Sequence, residues 1–274
     1  MSVKTAYITG GASGIALAVA EMLVGRGVRV CIADRNLEGA KAAAEKLGKG
    51  AIAVEVNTPD WDSQLAAFET AVKEFGRIDY VFPIAGIGER KTVKRDGSTS
   101  GFQKPDLATL DVDLIGVLYT AYLAIQQMRR QEKDSSGFRG KIAATASACG
   151  IYCVPTIPIY TAAKRGVVGF VRSYGKYLPE ENITLNAVCP NVVKTHISSD
   201  AFYERIESEN LMTPMKGVID AFESFLDSDI SGECMEQGPK GGFVRRAPEP
   251  YLDQESERAM DLVYERSYPL HQPE

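Results

Sequence analysis

Short β-branched segments alternate with helical segments along most of this 274-residue chain, and this alternation limits the folds available to it. Strands are predicted near residues 3–9, 28–33, 51–56, 78–82, 141–145, 183–189 and 233–237. Helical periodicity fills the intervals, at residues 15–26, 37–47, 61–75, 106–131 and 160–177. Parallel strands require crossover connections of this kind. We therefore predict an α/β fold, a single doubly wound domain with a seven-stranded, mainly parallel sheet and helices on both faces.

Two regions lie outside the alternation. Residues 195–227 carry amphipathic helical sequence with apolar residues that look exposed, and residues 239–274 form a Gly/Pro-rich tail. In the tail we expect little regular structure beyond a helix near residues 254–264. Neither region is large enough for a second domain, so the predicted domain spans residues 1–238 with the tail appended.

Composition and charge exclude several function classes. The 31 basic and 36 acidic residues give a formal net charge of −5, and no basic cluster exceeds a pair of arginines, so no nucleic-acid partner is expected. No apolar run reaches about 18 residues and no signal peptide is visible, so we expect no membrane partner and a cytoplasmic protein. The five scattered cysteines predict reduced thiols, and two distant histidines give no metal site.

A glycine-rich loop joins the first predicted strand to the first helix, at Thr9–Ala16. Glycines there let the backbone approach a pyrophosphate, and the helix N-terminus supplies N–H donors. Any strand-to-helix turn can carry glycine, so the loop alone leaves a purely structural interpretation open. Asp34 adds weight because it ends the second strand about twenty residues beyond Gly14, where a carboxylate accepts the ribose hydroxyls and repels a 2′-phosphate. NAD is thus favoured over NADP, although neighbouring Arg35 partly offsets that repulsion.

Tyr160 and Lys164 stand four residues apart on one predicted helix face. A phenol with a pKa of about 10 is a poor base at neutral pH, and a nearby ammonium favours its ionised form. Ser147, just past the end of a strand, is placed to donate to a substrate oxygen that the phenol also touches. Tyr and Lys occur four apart by chance, so the pair gains meaning only together with the serine and the glycine loop.

On these motifs the sequence resembles the classical short-chain dehydrogenase/reductases, a Rossmann-type family, over roughly residues 4–238. It looks most similar to the hydroxyprostaglandin dehydrogenase-like branch and its fungal-type members. The segments that carry the resemblance are Thr9–Ala16, Asp34, Ala85-Gly86, Ser147, Tyr160-x-x-x-Lys164 and Asn186 through Thr195.

The resemblance implies the following roles. Tyr160 is the acid/base, and Ser147 orients the substrate oxygen. Lys164 binds the nicotinamide ribose and lowers the pKa of the tyrosine. The implied catalytic residues are Asp113, Ser147, Tyr160 and Lys164. Substrate contacts are expected from Ser147, Tyr152 and Tyr160. The implied NAD-binding residues are Gly10, Ser13, Gly14, Ile15, Asp34, Arg35, Asn57, Thr58, Ala85, Gly86, Tyr160, Lys164, Val193 and Thr195.

Four positions depart from the family pattern. Ala16 replaces the third glycine of the loop. Ile84 replaces an asparagine beside the cofactor, and Asn191 replaces a glycine after Pro190. Asp113 replaces an asparagine that helps to hold a water near the lysine. A carboxylate there is able to pair with Lys164 and to change how far the lysine acidifies Tyr160, so we expect an altered pH optimum.

The apolar residues of 195–227 match the family's substrate loop, and they indicate a small hydrophobic substrate. With Ile84, Tyr152, Val154, Pro155 and Ile157 they favour a secondary alcohol or ketone, and the fungal resemblance implies polyketide or terpenoid secondary metabolism. Alternatively, these residues only cap the core. Two other functions stay open, a cofactor-bound isomerase and a non-catalytic dinucleotide-binding protein. The resemblance also implies a homodimer or homotetramer that packs through residues 106–131 and 160–177.

Overall fold

The computed structural model describes residues 3–93 and 101–272, and within them one sheet carries eight strands. The strand order is β3-β2-β1-β4-β5-β6-β7-β8, parallel throughout except for β8, which is antiparallel to β7. The predicted α/β sheet is confirmed, but it has eight strands rather than seven. The strands are β1 (Thr5–Thr9), β2 (Arg29–Asp34), β3 (Ala51–Glu55), β4 (Tyr80–Pro83), β5 (Gly140–Thr145), β6 (Ile183–Pro190), β7 (Cys234–Gln237) and β8 (Val244–Arg246).

Helices cover both faces of the sheet because alternate side chains of each strand point to opposite faces. Tyr7 of β1 belongs to one buried cluster, which helices α3 to α5 complete, and Ile8 belongs to the other, with α1, α2 and α7. The helices are α1 (Gly14–Gly25), α2 (Leu37–Leu47), α3 (Trp61–Phe75), α4 (Ala108–Arg129), α5 (Pro158–Tyr177), α6 (Asp200–Ser208), α7 (Met215–Leu226) and α8 (Gln254–Ser267).

The chain reverses direction across the sheet at β1, which pairs with β2 on one side and β4 on the other. Successive strands run outward from β1 to β3, and the chain then returns to place β4 against the free side of β1. In open α/β sheets a crevice forms at such a reversal, outside the carboxyl ends of the strands. The loops after β1 and β4 must therefore meet there.

Helix α4 contains a π-helical turn, Asp111–Ile115, near its start. Such turns insert an extra residue and frequently occur at functional sites. Here the turn includes Asp113, which is fully buried. By length and composition alone α4 is apolar enough to cross a membrane, but half of its apolar stretch is buried inside the fold, as in many core helices of globular domains.

The tail contains one strand, which extends the main sheet, and one helix. The predicted helix is confirmed as α8, whereas β8 was not predicted, because three residues are too few to show a period. β8 is held to its neighbour by ion pairs, Arg245 to Glu233 and Arg246 to Glu236 (3.3 Å). The predicted domain boundary at residue 238 thus falls between two strands of one sheet. The ends of the two predicted ranges, residues 1–2 and 273–274, lie outside the described residues.

A buried carboxylate joins β1 to the start of β4, at the amino ends of these strands and thus opposite the crevice. Asp79 is 2% exposed and accepts hydrogen bonds from the Thr5 backbone N–H (3.0 Å), the Lys4 ammonium (3.0 Å) and the Arg77 Nε–H (2.6 Å). A buried charge costs little when it is fully paired, and its removal leaves the partners unsatisfied.

We predict that Asp79→Ala lowers the free energy of unfolding by about 2–3 kcal/mol, since it leaves the Thr5 backbone N–H and the Arg77 Nε–H without their acceptor and removes one of the two carboxylates that pair with Lys4. Urea denaturation measures this loss. Glu38→Gln, which removes an exposed partner of Lys41, is the control and should change stability by less than about 0.5 kcal/mol. A loss for Asp79→Ala as small as that of the control would contradict this assignment.

Candidate active site

A cavity of about 850 Å³ opens at the carboxyl ends of β1, β2, β4 and β5. Its volume lies within the range of small-molecule and cofactor sites. Every predicted site residue except Asp113 lines it: Gly10, Ser13, Gly14, Ile15, Asp34, Arg35, Asn57, Thr58, Ala85, Gly86, Ser147, Tyr152, Tyr160, Lys164, Val193 and Thr195. The tertiary structure therefore brings together residues that are up to 185 positions apart, from Gly10 to Thr195.

At one end of the cavity, the glycine-rich loop crosses the loop that follows β4. Gly10 has a φ of +74°, and a Cβ there would lie 2.8 Å from the Cα of Ala85, so the position requires glycine. Ser13 precedes α1 but makes no side-chain cap, which leaves first-turn N–H groups of α1 without a side-chain partner. This donor set, on bare backbone at a helix N-terminus, fits a pyrophosphate.

Asp34 supports this loop from the end of β2. Its two carboxylate oxygens accept the backbone N–H groups of Ala12 (3.1 Å) and Asn36 (2.9 Å), while the residue remains half-exposed to the cavity. Arg35 is exposed beside it. The carboxylate thus has a fixed orientation and lone pairs left for ribose hydroxyls, which fits the adenosine end of a dinucleotide.

Ile84 occupies the position where the resemblance implies an asparagine. Its side chain is buried in the core cluster that includes Ile8, and its backbone N–H donates to the Thr9 hydroxyl at 3.1 Å. The same hydroxyl accepts the N–H of Ala85 at 3.3 Å. Sequence reasoning did not identify this role of Thr9, although its place at the end of β1 was visible. The loop is held by its main chain despite the lost polar side chain.

Tyr160 and Lys164 lie in the first two turns of α5, and Pro158 begins this helix with a preset φ. The Lys164 ammonium lies 5.6 Å from the centroid of the Tyr160 ring. The N-terminus of α5 is capped from a distance, because the Glu89 carboxylate accepts the Tyr160 backbone N–H at 2.9 Å. Nothing in the sequence distinguishes Glu89 from the polar residues that follow it.

Asp113 lies behind the cavity wall and holds Lys164 rather than facing the cavity. Its Oδ2 is 3.1 Å from the Lys164 ammonium, which also donates to the Thr145 carbonyl at 3.1 Å. The Oδ1 of Asp113 accepts the Ile87 backbone N–H at 2.8 Å. Both charged side chains are almost completely buried. The ion pair that the sequence allowed is therefore present, and Asp113 acts through the lysine as a positioning residue.

Burial and charge act in opposite directions on the two titratable groups. Burial raises the pKa of Tyr160, the Lys164 ammonium lowers it, the Asp113 carboxylate raises it, and the net shift is upward. Burial alone would lower the pKa of Lys164, but Asp113 and Tyr160 raise it, so the lysine keeps its proton. The expected effect of Lys164, a lowering of the tyrosine pKa, is therefore present, but burial and Asp113 outweigh it.

Comparison with known proteins decides the family. A family model described as short chain dehydrogenase matches residues 4–205. This chain belongs to the short-chain dehydrogenases. It is 33% identical over 195 residues to a short-chain dehydrogenase/reductase, prx7, of Penicillium rubens, a match that covers 69% of this chain and 68% of the relative. It is 32% identical over 216 residues to human 15-hydroxyprostaglandin dehydrogenase [NAD(+)], covering 76% and 73% of the two chains.

Solved structures agree with this assignment. The crystal structure of 3-hydroxyacyl-CoA dehydrogenase type-2 from Mycobacterium avium is 30% identical and has a TM-score of 0.75, covering 89% of this chain and 97% of that one. The predicted family and its fungal-type resemblance, the Rossmann-type sheet and the class of nicotinamide-dependent oxidoreductases are confirmed. The human relative's name specifies NAD(+), in agreement with the prediction made from Asp34.

The Asp113 carboxylate generates a prediction about pH dependence. It raises the pKa of Tyr160, and alcohol oxidation requires the phenolate, so Asp113→Asn should move the rising limb of the kcat/KM profile to lower pH. The measurement is kcat/KM for alcohol oxidation against pH. Asp111→Asn, an exposed carboxylate in the same π turn, is the matched control and should leave the profile in place. A limb that stays fixed or moves to higher pH in Asp113→Asn would contradict the role given to this charge.

Proposed function

We propose that this protein is an NAD-dependent dehydrogenase that interconverts a hydrophobic secondary alcohol and its ketone. The observation that carries the proposal is the distribution of groups along one cavity. The Ser147 hydroxyl, the Tyr160 phenol and the Lys164 ammonium line one part of it, and the glycine-rich loop with Asp34 lines another. One cavity therefore contains both a group able to transfer a proton and a loop suited to bind a dinucleotide.

The chain's own residues account for the proton. In oxidation Tyr160 Oη takes the proton of the substrate hydroxyl, while Ser147 holds the same oxygen and fixes its distance from the phenol. In ketone reduction the protonated phenol gives that proton back. Lys164, kept charged by Asp113, stabilises the phenolate between these two states. NAD, when bound, would supply the hydride acceptor, and Val193 and Thr195, which line the cavity, would hold its nicotinamide amide.

The fixed carboxylate of Asp34 supports NAD over NADP. A 2′-phosphate beside it would meet a negative charge whose oxygens are already oriented by Ala12 and Asn36. Arg35 is exposed and its side chain has freedom to turn toward a phosphate, but it does not remove that carboxylate. NAD therefore has the higher expected affinity.

The chemistry of the cavity wall supports a hydrophobic substrate. Ile197 and Phe202 line the cavity and are 44% and 41% exposed, so an apolar ligand would cover them. Ile84, Tyr152, Val154 and Ile157 also line it, whereas Pro155 does not. Two charged residues, Glu89 and Arg90, are also in the lining. Glu89 is engaged by the Tyr160 N–H, which leaves Arg90 as a group able to bind a polar end of the substrate.

The isomerase alternative depends on the departures from the family pattern at Ile84 and Asp113. Ile84 packs into the core and Asp113 pairs with Lys164, so neither substitution removes a group that transfers a proton. The polyketide or terpenoid substrate that the fungal resemblance implies stays a prediction, as do the cytoplasmic location and the absence of nucleic-acid and membrane partners.

Activity with a panel of lipophilic secondary alcohols tests the proposal. Reduced nicotinamide should form from NAD in preference to NADP, and Tyr160→Phe should lower kcat by about 10²–10⁴-fold because it removes the acid/base group. The dissociation constant for NAD should change little. Tyr264→Phe, in the exposed tail helix, is the control and should retain full activity.

Two results would contradict the dehydrogenase. Substrate conversion without nicotinamide reduction, abolished by Tyr160→Phe, would indicate the isomerase. NAD binding with no turnover of any panel member would indicate the non-catalytic protein.

We also propose that α4 and α5 form the face of a homodimer or homotetramer. Tyr122 of α4 is 45% exposed, and its ring lies 6.1 Å from that of Phe170 and 5.9 Å from that of Tyr174. An exposed aromatic group of this kind is typical of a subunit interface. The tail borders this face, since the His271 ring packs on Tyr174 and Tyr177.

Tyr122→Glu should therefore shift the protein toward the monomer, because it places a charge in the interface. Light scattering after size-exclusion chromatography measures the mass. Tyr251→Glu, at an exposed tyrosine of the tail, should leave the mass unchanged. A wild-type protein that is monomeric at micromolar concentration would refute the proposed interface.

A further inference from the structure

A second cavity, of about 180 Å³, lies between α5 and the first part of the tail. Three arginines line it: Arg165 and Arg172 from one face of α5, and Arg246 from β8. The chain has a net charge of −5, so this grouping of cations runs against its overall charge. Like charges around a small cavity repel one another, and an anion between them removes that repulsion.

Two of the guanidinium groups are held in place by backbone carbonyls. Arg165 donates to the Ile151 carbonyl at 2.8 Å, and Arg172 donates to the Ala247 carbonyl at 2.9 Å. A guanidinium carries five N–H donors, so each retains others for a ligand. Across residues 3–93 and 101–272, neither Arg165 nor Arg172 has a carboxylate oxygen within 4 Å. These donors are fixed in position, and their charges are not neutralised by an ion pair.

The remaining charges leave the cavity positive. Arg246 lies 3.3 Å from the Glu236 carboxylate and 5.7 Å from the centroid of the Tyr152 ring. Glu249 also lines the cavity. When both carboxylates are counted against the three arginines, one positive charge remains. The site is therefore suited to an anion with several acceptor oxygens rather than to a cation.

The space at the site sets the size of that anion. A Cβ added at Gly169, in the cavity wall on α5, would meet no atom within 4 Å, so the helix surface there is open. A volume of 180 Å³ holds a group of several non-hydrogen atoms but not a whole dinucleotide. Guanidinium forks match the oxygens of a phosphate group, with two parallel hydrogen bonds each.

This cavity is separate from the large one, although a single short segment forms part of both walls. Cys149 and Tyr152 line the large cavity, and Gly150 and Ile151 line the small one. We propose that the small cavity binds a phosphoryl group, either as free phosphate or as the phosphate of a small monoester. The site is distinct from the pyrophosphate cradle at the glycine-rich loop and does not depend on the proposed dehydrogenase activity.

Calorimetric titration of the full chain tests the proposal. The buffer contains no phosphate or sulfate, and saturating NAD occupies the glycine-rich loop so that it does not compete for the probe. Inorganic phosphate is titrated in one arm and glycerol 3-phosphate in the other. We expect saturable binding of at least one probe with a dissociation constant in the millimolar range or below. The arm that binds more tightly identifies free phosphate or a monoester as the ligand.

Variants locate the bound probe. Arg165→Ala with Arg172→Ala should weaken binding at least about tenfold, because it removes two charge-assisted donors. Gly169→Met keeps every charge but fills the cavity, and it should also weaken binding at least about tenfold, while light scattering should show an unchanged mass of the protein. Arg205→Ala removes one exposed charge from α6 and should leave the affinity unchanged.

Two outcomes would overturn the proposal: no saturable binding of either probe, or binding that persists in both the double variant and Gly169→Met. Thermal unfolding shows whether the double variant is folded. If the double variant is unfolded, Gly169→Met and Arg172→Lys still test the proposal. Arg172→Lys retains the charge but loses the paired N–H donors of the guanidinium, so it should bind the probe more weakly. The affinity of wild type and of Gly169→Met for the phosphate probe can be compared whether or not NAD binds. A failure of the phosphate site is therefore distinguishable from a failure of the proposed dehydrogenase.

Discussion

The parallel pairing of β1 with β4 is the constraint on which the rest of this structure depends. It joins segments about 75 residues apart and brings the loops after the two strands into contact, where Gly10 lies against Ala85 and the Thr9 hydroxyl binds the N–H groups of Ile84 and Ala85. Asp79 secures the other end of the same pair. The cavity exists because these two loops meet at the point where the chain reverses across the sheet.

Within that cavity, the charge state of one lysine links the fold to the chemistry. Lys164 is buried, and a buried ammonium is costly unless it is paired. The π turn of α4 supplies the pairing carboxylate, and the end of β5 supplies a carbonyl. Asp113 thereby keeps the lysine charged while it also raises the pKa of Tyr160, so this protein balances two opposite effects on one phenol.

Particular residues show how far sequence reasoning reached. The strand and helix pattern and the positions of Asp34, Ser147, Tyr160 and Lys164 followed from periodicity, spacing and family resemblance. Strand β8 did not, because its three residues show no period and its antiparallel pairing with β7, supported by ion pairs to Glu233 and Glu236, is a tertiary contact. Glu89 and Thr9 were also missed, since a polar residue in a loop and a threonine at a strand end carry no pattern that names a distant partner.

The sequence by itself determined the element order, the loop that needs glycine and the chemical groups that the site contains. Those properties are local, because they depend on backbone freedom and on side-chain period along a short segment. Only the tertiary structure decided that Asp113 faces Lys164 rather than the cavity, that Glu89 caps α5, and that three arginines from α5 and β8 surround one small cavity. Each of these is a contact between residues far apart in the chain, fixed by how the elements pack and not by the residues on either side.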